Sequence, residues 1–258
     1  MRADIYLTTH GHTASRQQAK QLIGGGNVTV DGKQISKPSE EIPDGEHTVE
    51  LRNLLPYVGR GGLKLEAALD AFGLDVSGRK ALDIGASTGG FTDCLLRRGA
   101  GHVWAVDSGT GQLAKVLRED SRVTSMERFN ARNLTSADVG GMVDLVVMDV
   151  SFISATYLIP LFPALLNVPG DAVCLIKPQF EVGRERIGKG GLVKDADAHR
   201  FAVERVVQAG KNAGMVPVSL IPSPISGGDG NREFLVRFSL GRAEARELTE
   251  EQIRSVTG

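Results

Sequence analysis

The chain has 258 residues, 41% of them hydrophobic and 24% charged, and a formal net charge of −1. This is globular composition, long enough for one large or two unequal domains with a buried core. No run approaches the roughly 20 apolar residues of a membrane span, no apolar stretch follows Met1-Arg2-Ala3-Asp4 as a secretory leader would require, and a near-neutral balance leaves nucleic acid only a local patch to bind.

The expected compartment is the cytoplasm, with no membrane contact. Cys94 and Cys174 stand far apart in apolar runs and read as buried free thiols. His10, His12, His47, His102 and His199 lack ligand spacing, so no metal is expected.

Residues 1–55 read as a small α+β domain. A short helix is predicted over 2–9. Thr13 or Ser15 is placed to cap a second helix ending near Ile23, with Gln17 and Gln18 near the capping-box position, and Gly24-Gly25-Gly26 stops it. Val28-Thr29-Val30 alternates like a strand, Asp31-Gly32 predicts a type I′ hairpin, Ile35 falls on the return strand, and a last strand covers 47–51. Residues 1–38 hold five Lys/Arg against two Asp. Arg16 and Lys20, four apart, share one helix face that can meet phosphates together with Arg2, or simply be solvated.

Residues 56–62, ending in Gly59-Arg60-Gly61-Gly62, read as a linker. Beyond it helices and strands alternate. Helices are predicted over 63–72, 90–98, 112–118, 155–166 and 197–213. Strands are predicted over 81–84, 102–107, 122–126, 143–149, 172–177, 216–221 and 233–239. A charged, glycine-rich loop spans 178–193, and Thr249 with Gln252 can cap a short tail helix. Continuous apolar strands between helices predict an α/β domain over 63–258, a mostly parallel Rossmann-like sheet covered on both faces.

The first strand of that sheet ends in Asp83-Ile84-Gly85-Ala86-Ser87-Thr88-Gly89-Gly90-Phe91. A dinucleotide fingerprint fails here, because Ser87 takes its second glycine position. Gly85-Ala86-Ser87-Thr88-Gly89 matches the hydrolase nucleophile elbow, but that chemistry needs a late histidine, and only His199, inside a predicted helix, qualifies. S-adenosylmethionine binding uses the whole unit. Asp83 meets the methionine ammonium, the turn of Gly85, Ser87, Thr88, Gly89, Gly90 and Phe91 passes under the ligand, and Asp107, ending the next strand, accepts from the ribose hydroxyls. A purely structural turn is the alternative. Gly183-x4-Gly188-Lys189 resembles a Walker A loop, but Gly190 stands where Ser or Thr must ligate Mg²⁺. With Arg184, Arg186 and Lys189, this loop reads either as a substrate-binding segment or as plain surface. Asp149 and Lys177 end two apolar strands, on the side where open α/β sheets bind ligands. A structural salt bridge is the rival reading.

Five motifs in order, Gly61-Gly62-Leu63-Lys64-Leu65, the Gly-Ala-Ser-Thr-Gly-Gly-Phe loop, Asp149-Val150-Ser151-Phe152-Ile153-Ser154, Lys177-Pro178-Gln179-Phe180-Glu181 and Gly230-Asn231-Arg232-Glu233-Phe234, resemble the TlyA family. These are ribosomal-RNA cytidine 2′-O-methyltransferases, some long labelled hemolysins, whose catalytic domain is similar to the FtsJ/RrmJ class. The resemblance implies S-adenosylmethionine as cofactor, ribosomal RNA or its subunits as partner, and a Lys-Asp-Lys-Glu tetrad at Lys64, Asp149, Lys177 and Glu233. Lys177 would take or orient the hydroxyl proton, Asp149 would hold it, and Lys64 and Glu233 would position the ribose. Ser15-Arg16-Gln17-Gln18-Ala19 and Val28-Thr29-Val30-Asp31-Gly32 resemble the S-four RNA-binding domain. Arg2, Arg16 and Lys20 within it, and Arg60, Arg184, Arg186 and Lys189 outside it, are the expected RNA contacts. Gly59 departs from the family, which usually has Ser before Arg-Gly-Gly. A non-catalytic RNA-binding protein and a membrane-active hemolysin are the rival functions.

Overall fold

Asp31 and Gly32 both take left-handed backbone, φ 51° and 76°, the geometry a type I′ turn demands. They fold β1 (Val28–Val30) onto β2 (Lys33–Gln34), and β3 (Val49–Leu51) pairs with the other edge of β1. The return strand is shorter than expected and Ile35 lies just past it, yet buried. Helices α1 (Ala3–Thr9) and α2 (Arg16–Gly24) close a core of Leu7, Ile23, Val28 and Ile42. The computed structural model describes residues 1–13, 16–52 and 56–258, apart from the side chains of Gln17 and Gln21. The cap expected at Ser15 lies outside the described residues. The chain divides into two compact units, Met1–Pro56 and Tyr57–Gly258.

The larger unit begins with α3 (Gly61–Ala71) and continues through β4 (Lys80–Ile84), α4 (Gly90–Arg97), β5 (His102–Val106), α5 (Lys115–Arg118), β6 (Val123–Met126), β7 (Val143–Met148), α6 (Phe162–Leu165), β8 (Leu166–Ile176), α7 (Pro178–Glu181), α8 (Ala196–Asn212), β9 (Val216–Pro222), β10 (Phe234–Leu240) and α9 (Glu250–Thr257). Its sheet runs β6-β5-β4-β7-β8-β10-β9, parallel from β6 to β8, with β10 antiparallel to both neighbours. Alternate residues feed two cores, as a pleated strand requires. Leu82, Val146, Cys174 and Val236 meet α8 through Ala202, Val203 and Val206. Ala81, Leu145, Val173 and Leu235 meet α3 and α4 through Leu65, Ala68 and Leu95. Thr249 caps α9 reciprocally with Gln252, as its spacing predicts.

The structure corrects three expectations. The segment 56–62 is not a linker from Tyr57 onward. Tyr57 is buried, the Val58 amide donates to Asp93 Oδ2 at 2.8 Å, and α3 already starts at Gly61. The helix expected over 155–166 breaks into single turns, Ala155–Tyr157, Ile159–Leu161 and α6. Pro160 and Pro163 lack the N–H that a continuous helix needs and crowd the preceding turn. The helix expected over 112–118 shrinks to the single turn of α5. Among the described residues no helix is long and apolar enough to cross a membrane.

Candidate active site

The carboxyl ends of β4, β5 and β7 open into a cavity of about 1230 Å³, lined by Gly85, Ser87, Asp107, Gly109, Asp149 and Phe152 among others. The glycine turn lets these ends converge. Gly85 has φ +85°, and a Cβ there would lie 2.3 Å from the Asp149 carbonyl oxygen, so only glycine brings β4 this close to the end of β7. The helix starts of α3 and α4 meet in the same way. A Cβ on Gly90 would lie 2.9 Å from Gly62 N. Gly59 packs on the same turn: a Cβ there would stand 2.6 Å from Thr88 Oγ1.

Two ion pairs stand at this end of the sheet. Lys64 Nζ, from the first turn of α3, donates to Glu233 Oε2 at 2.5 Å, and both side chains are buried. Lys177 Nζ lies 2.5 Å from Asp149 Oδ1 and also donates a hydrogen bond to Ser151 Oγ at 2.8 Å. The pairs feel each other. Burial pushes the Glu233 carboxyl above its ordinary range, Lys64 and Lys177 pull it down, and Asp149 pushes it up.

Beneath the turn, Asp83 is fully buried. Thr92 Oγ1 donates to its Oδ2 at 2.7 Å, while Oδ1 has no hydrogen-bond partner. Burial pushes this carboxyl up to about 7; Thr92 opposes the rise and the charge of Asp149 adds to it. Asp107 receives the Ser87 amide on Oδ2 at 2.8 Å and the Gly109 amide on Oδ1 at 2.7 Å, so its carboxylate is held facing the cavity.

The FtsJ-like methyltransferase model matches residues 57–240 and the S4 domain model matches residues 1–47. The 16S/23S rRNA (cytidine-2′-O)-methyltransferase TlyA of Mycobacterium tuberculosis is 45% identical over 91% of this chain and 88% of its own. The chain belongs to the TlyA family. YqxC of Bacillus subtilis, an rRNA methyltransferase by its provisional name, is 44% identical over 99% of this chain and 92% of its own. A solved Streptococcus thermophilus protein with a provisional hemolysin label is 41% identical, with a TM-score of 0.79, over 100% of this chain and 94% of that one.

Of the residues expected to hold a cofactor, Gly85, Ser87 and Asp107 line the cavity of this TlyA-family chain. Asp83 lies below them. Gly89 abuts Leu117, Gly90 abuts α3, and Phe91 is buried against Gly61, so with Thr88 these residues brace the turn. Ser87 does sit at a strained φ of 50°, as an elbow would, but His199 is buried with its Nε2 2.9 Å from the Val193 carbonyl and its ring against Phe234.

The basic residues have varied fates. Arg184 lines the cavity, Arg186 lies 4.3 Å over the Phe201 ring, and Lys189 is exposed. Arg60 donates to the Ser226 carbonyl at 2.6 Å. In the smaller unit Arg2 and Arg16 flank the buried Asp4 at 3.0 and 2.9 Å and hold its carboxyl down at about 2, while their own side chains stay about half exposed. Lys20 is exposed on α2.

Sequence reasoning missed several neighbours. Arg128, Arg132 and Arg205 line the cavity, and Arg132 lies 4.8 Å over the Tyr157 ring. Phe152 is 93% exposed at φ +65°, with its ring 5.5 Å from that of Phe180. The motif holding Phe152 was visible, but exposure is a tertiary property. Glu181, in a family motif, is a brace rather than a reactant. It is buried and accepts from Ser154 Oγ at 2.5 Å and the Ala155 amide at 2.7 Å.

Proposed function

We propose that this chain transfers a methyl group from S-adenosylmethionine to a ribose 2′-hydroxyl of ribosomal RNA, at cytidine, as the name of its Mycobacterium tuberculosis relative says of that protein. The observation that carries the reading is the double ion pair, Lys64 with Glu233 and Lys177 with Asp149, at the end of the sheet where Asp149 lines the cavity.

The residues present suit the cofactor. The cavity's glycine edge leaves room for a ligand against backbone, Asp107 presents acceptor oxygens on the second strand, and Asp83 Oδ1 is a buried acceptor awaiting a donor. When bound, S-adenosylmethionine supplies an electrophilic methyl with a neutral thioether as leaving group. The protein has to place the attacking oxygen and manage its proton. Lys177 Nζ, fixed between Asp149 and Ser151, orients the 2′-hydroxyl. As the new C–O bond forms, Lys177 passes a proton to the Asp149 carboxylate and takes up the one that oxygen sheds. Glu233, held by Lys64, fixes the ribose. Most of the acceleration is orientation and preorganised charge.

Tritiated methyl transfer to purified bacterial ribosomal subunits tests this, with Lys177→Ala alongside. The parent should place label in RNA at positions that resist alkaline cleavage. The variant should lose about 10³-fold or more in turnover while keeping cofactor affinity. Normal turnover in Lys177→Ala would sink the assignment. A parent that binds cofactor and RNA without transferring label would be an RNA-binding protein only.

A further inference from the structure

Asn231 lies two residues before Glu233 and is 1% exposed. Both polar atoms of its side chain are engaged. Oδ1 accepts from the Val193 amide at 2.8 Å, and Nδ2 donates to the Gly191 carbonyl at 3.0 Å and to Asp229 Oδ2 at 2.9 Å. Two of these three bonds reach the loop between α7 and α8, far away in sequence. His199 of α8 holds the same stretch from the other side through the Val193 carbonyl. The loop is thus anchored at Val182 and Val193, both buried, and exposed between them. That exposed span carries Arg184, Arg186 and Lys189 against Glu185, and its Arg184 and Ile187 line the cavity.

The other contacts of Asn231 lead to the tetrad. The Gly227 amide donates to the Asn231 carbonyl at 2.9 Å, and a Cβ on Gly227 would lie 2.7 Å from Glu233 Oε1. Asp229 Oδ2 also accepts from Gln179 Nε2 at 2.9 Å, two residues after Lys177. A primary amide both accepts and donates twice in one plane, so the three bonds of Asn231 together fix its side chain in one orientation. Alanine at this position would leave the amide of the buried Val193 without its partner.

Resting on the RNA-methylation reading, we infer that Asn231 is a positioning residue. It fixes the basic loop 183–192 against the Lys64–Glu233 pair, so that phosphates gripped by the loop set the ribose at Lys177. Methyl transfer to ribosomal subunits, adenosylmethionine affinity by calorimetry, and trypsin cleavage at Arg184, Arg186 and Lys189 test this on the full chain with Asn231→Ala and the milder Asn231→Ser. Both variants should raise KM for the subunits, about tenfold in the alanine variant, keep cofactor affinity near the parent's, and speed cleavage of the loop. Lys189→Gln should raise KM in the parent and add little in the alanine background, because the loop is already released. An unchanged KM, additive effects, or loss of cofactor binding together with global unfolding in both variants would overturn the role. A parent that leaves ribosomal RNA unlabelled refutes the underlying reading instead, and trypsin alone then decides whether Asn231 pins the loop.

Discussion

Asp83 shows how burial decides what a side chain does. In water its carboxyl would be ionised at neutral pH, yet beneath the glycine turn it keeps its proton up to about 7. The folded chain therefore holds a proton that the unfolded chain sheds near the ordinary carboxylate range, so this residue makes stability fall as pH rises from about 4 to 7. In calorimetric scans the parent's Tm should fall over that window more than that of Asp83→Asn. Cofactor affinity should rise with pH through about 7 in the parent and stay flat in the variant. Equal slopes in both would remove Asp83 from ammonium binding. Phe152 is the opposite case, an aromatic ring left in solvent on a left-handed backbone that costs about 1 kcal/mol or more. Such strain at the mouth of a cavity points to a base-stacking role, for which about 1–3 kcal/mol per base is ordinary. Phe152→Gly should leave urea-unfolding stability equal or higher and reduce methyl transfer about tenfold or more. Unchanged transfer would make Phe152 plain surface.

The Lys64–Glu233 pair joins helix α3 to the residue just before strand β10, and its side chains are 9% and 2% exposed. Lys64→Met should leave Glu233 buried without its cation, so that it stays charged or takes up a proton, lowering stability by about 3–5 kcal/mol. Adding Glu233→Gln should recover most of that stability in urea titrations and none of the activity. A neutral Lys64→Met would mean the carboxylate finds water, contrary to its burial. Elements also mark where reading by pattern succeeded. Strands β4, β5, β7 and the apolar core of β8 were legible because a strand buried on both faces is a continuous apolar run. The helix expected over 155–166 was misread because its apolar spacing is helical while Pro160 and Pro163 break the hydrogen-bond ladder.

For the whole molecule, a net charge of −1 provides no long-range pull toward RNA, so attraction must come from local groups such as the exposed loop 183–192. Binding to ribosomal subunits should then weaken as salt rises, and Lys189→Gln should reduce the slope of log affinity against log salt by about 0.7–0.9, the share of one phosphate contact. An unchanged slope would place Lys189 away from phosphate. Arg2 and Arg16 should contribute less than their charge suggests, since each already answers Asp4.

By itself the amino-acid sequence determined the α/β class, the glycine turn after β4 and the hairpin at Asp31-Gly32, because periodicity and turn chemistry are local properties, while the family resemblance put forward the four tetrad residues. Only the tertiary structure decided how those residues pair. Lys64 and Glu233 are 169 positions apart, and nothing local says that they meet while Lys177 turns to Asp149 and Ser151. It also decided that Arg60 serves Ser226, that Glu181 is a brace, and that Asn231 bonds to Gly191 and Val193 of the basic loop. These are questions of burial and of which donor reaches which acceptor, and they are set where distant strand ends converge, not along the chain.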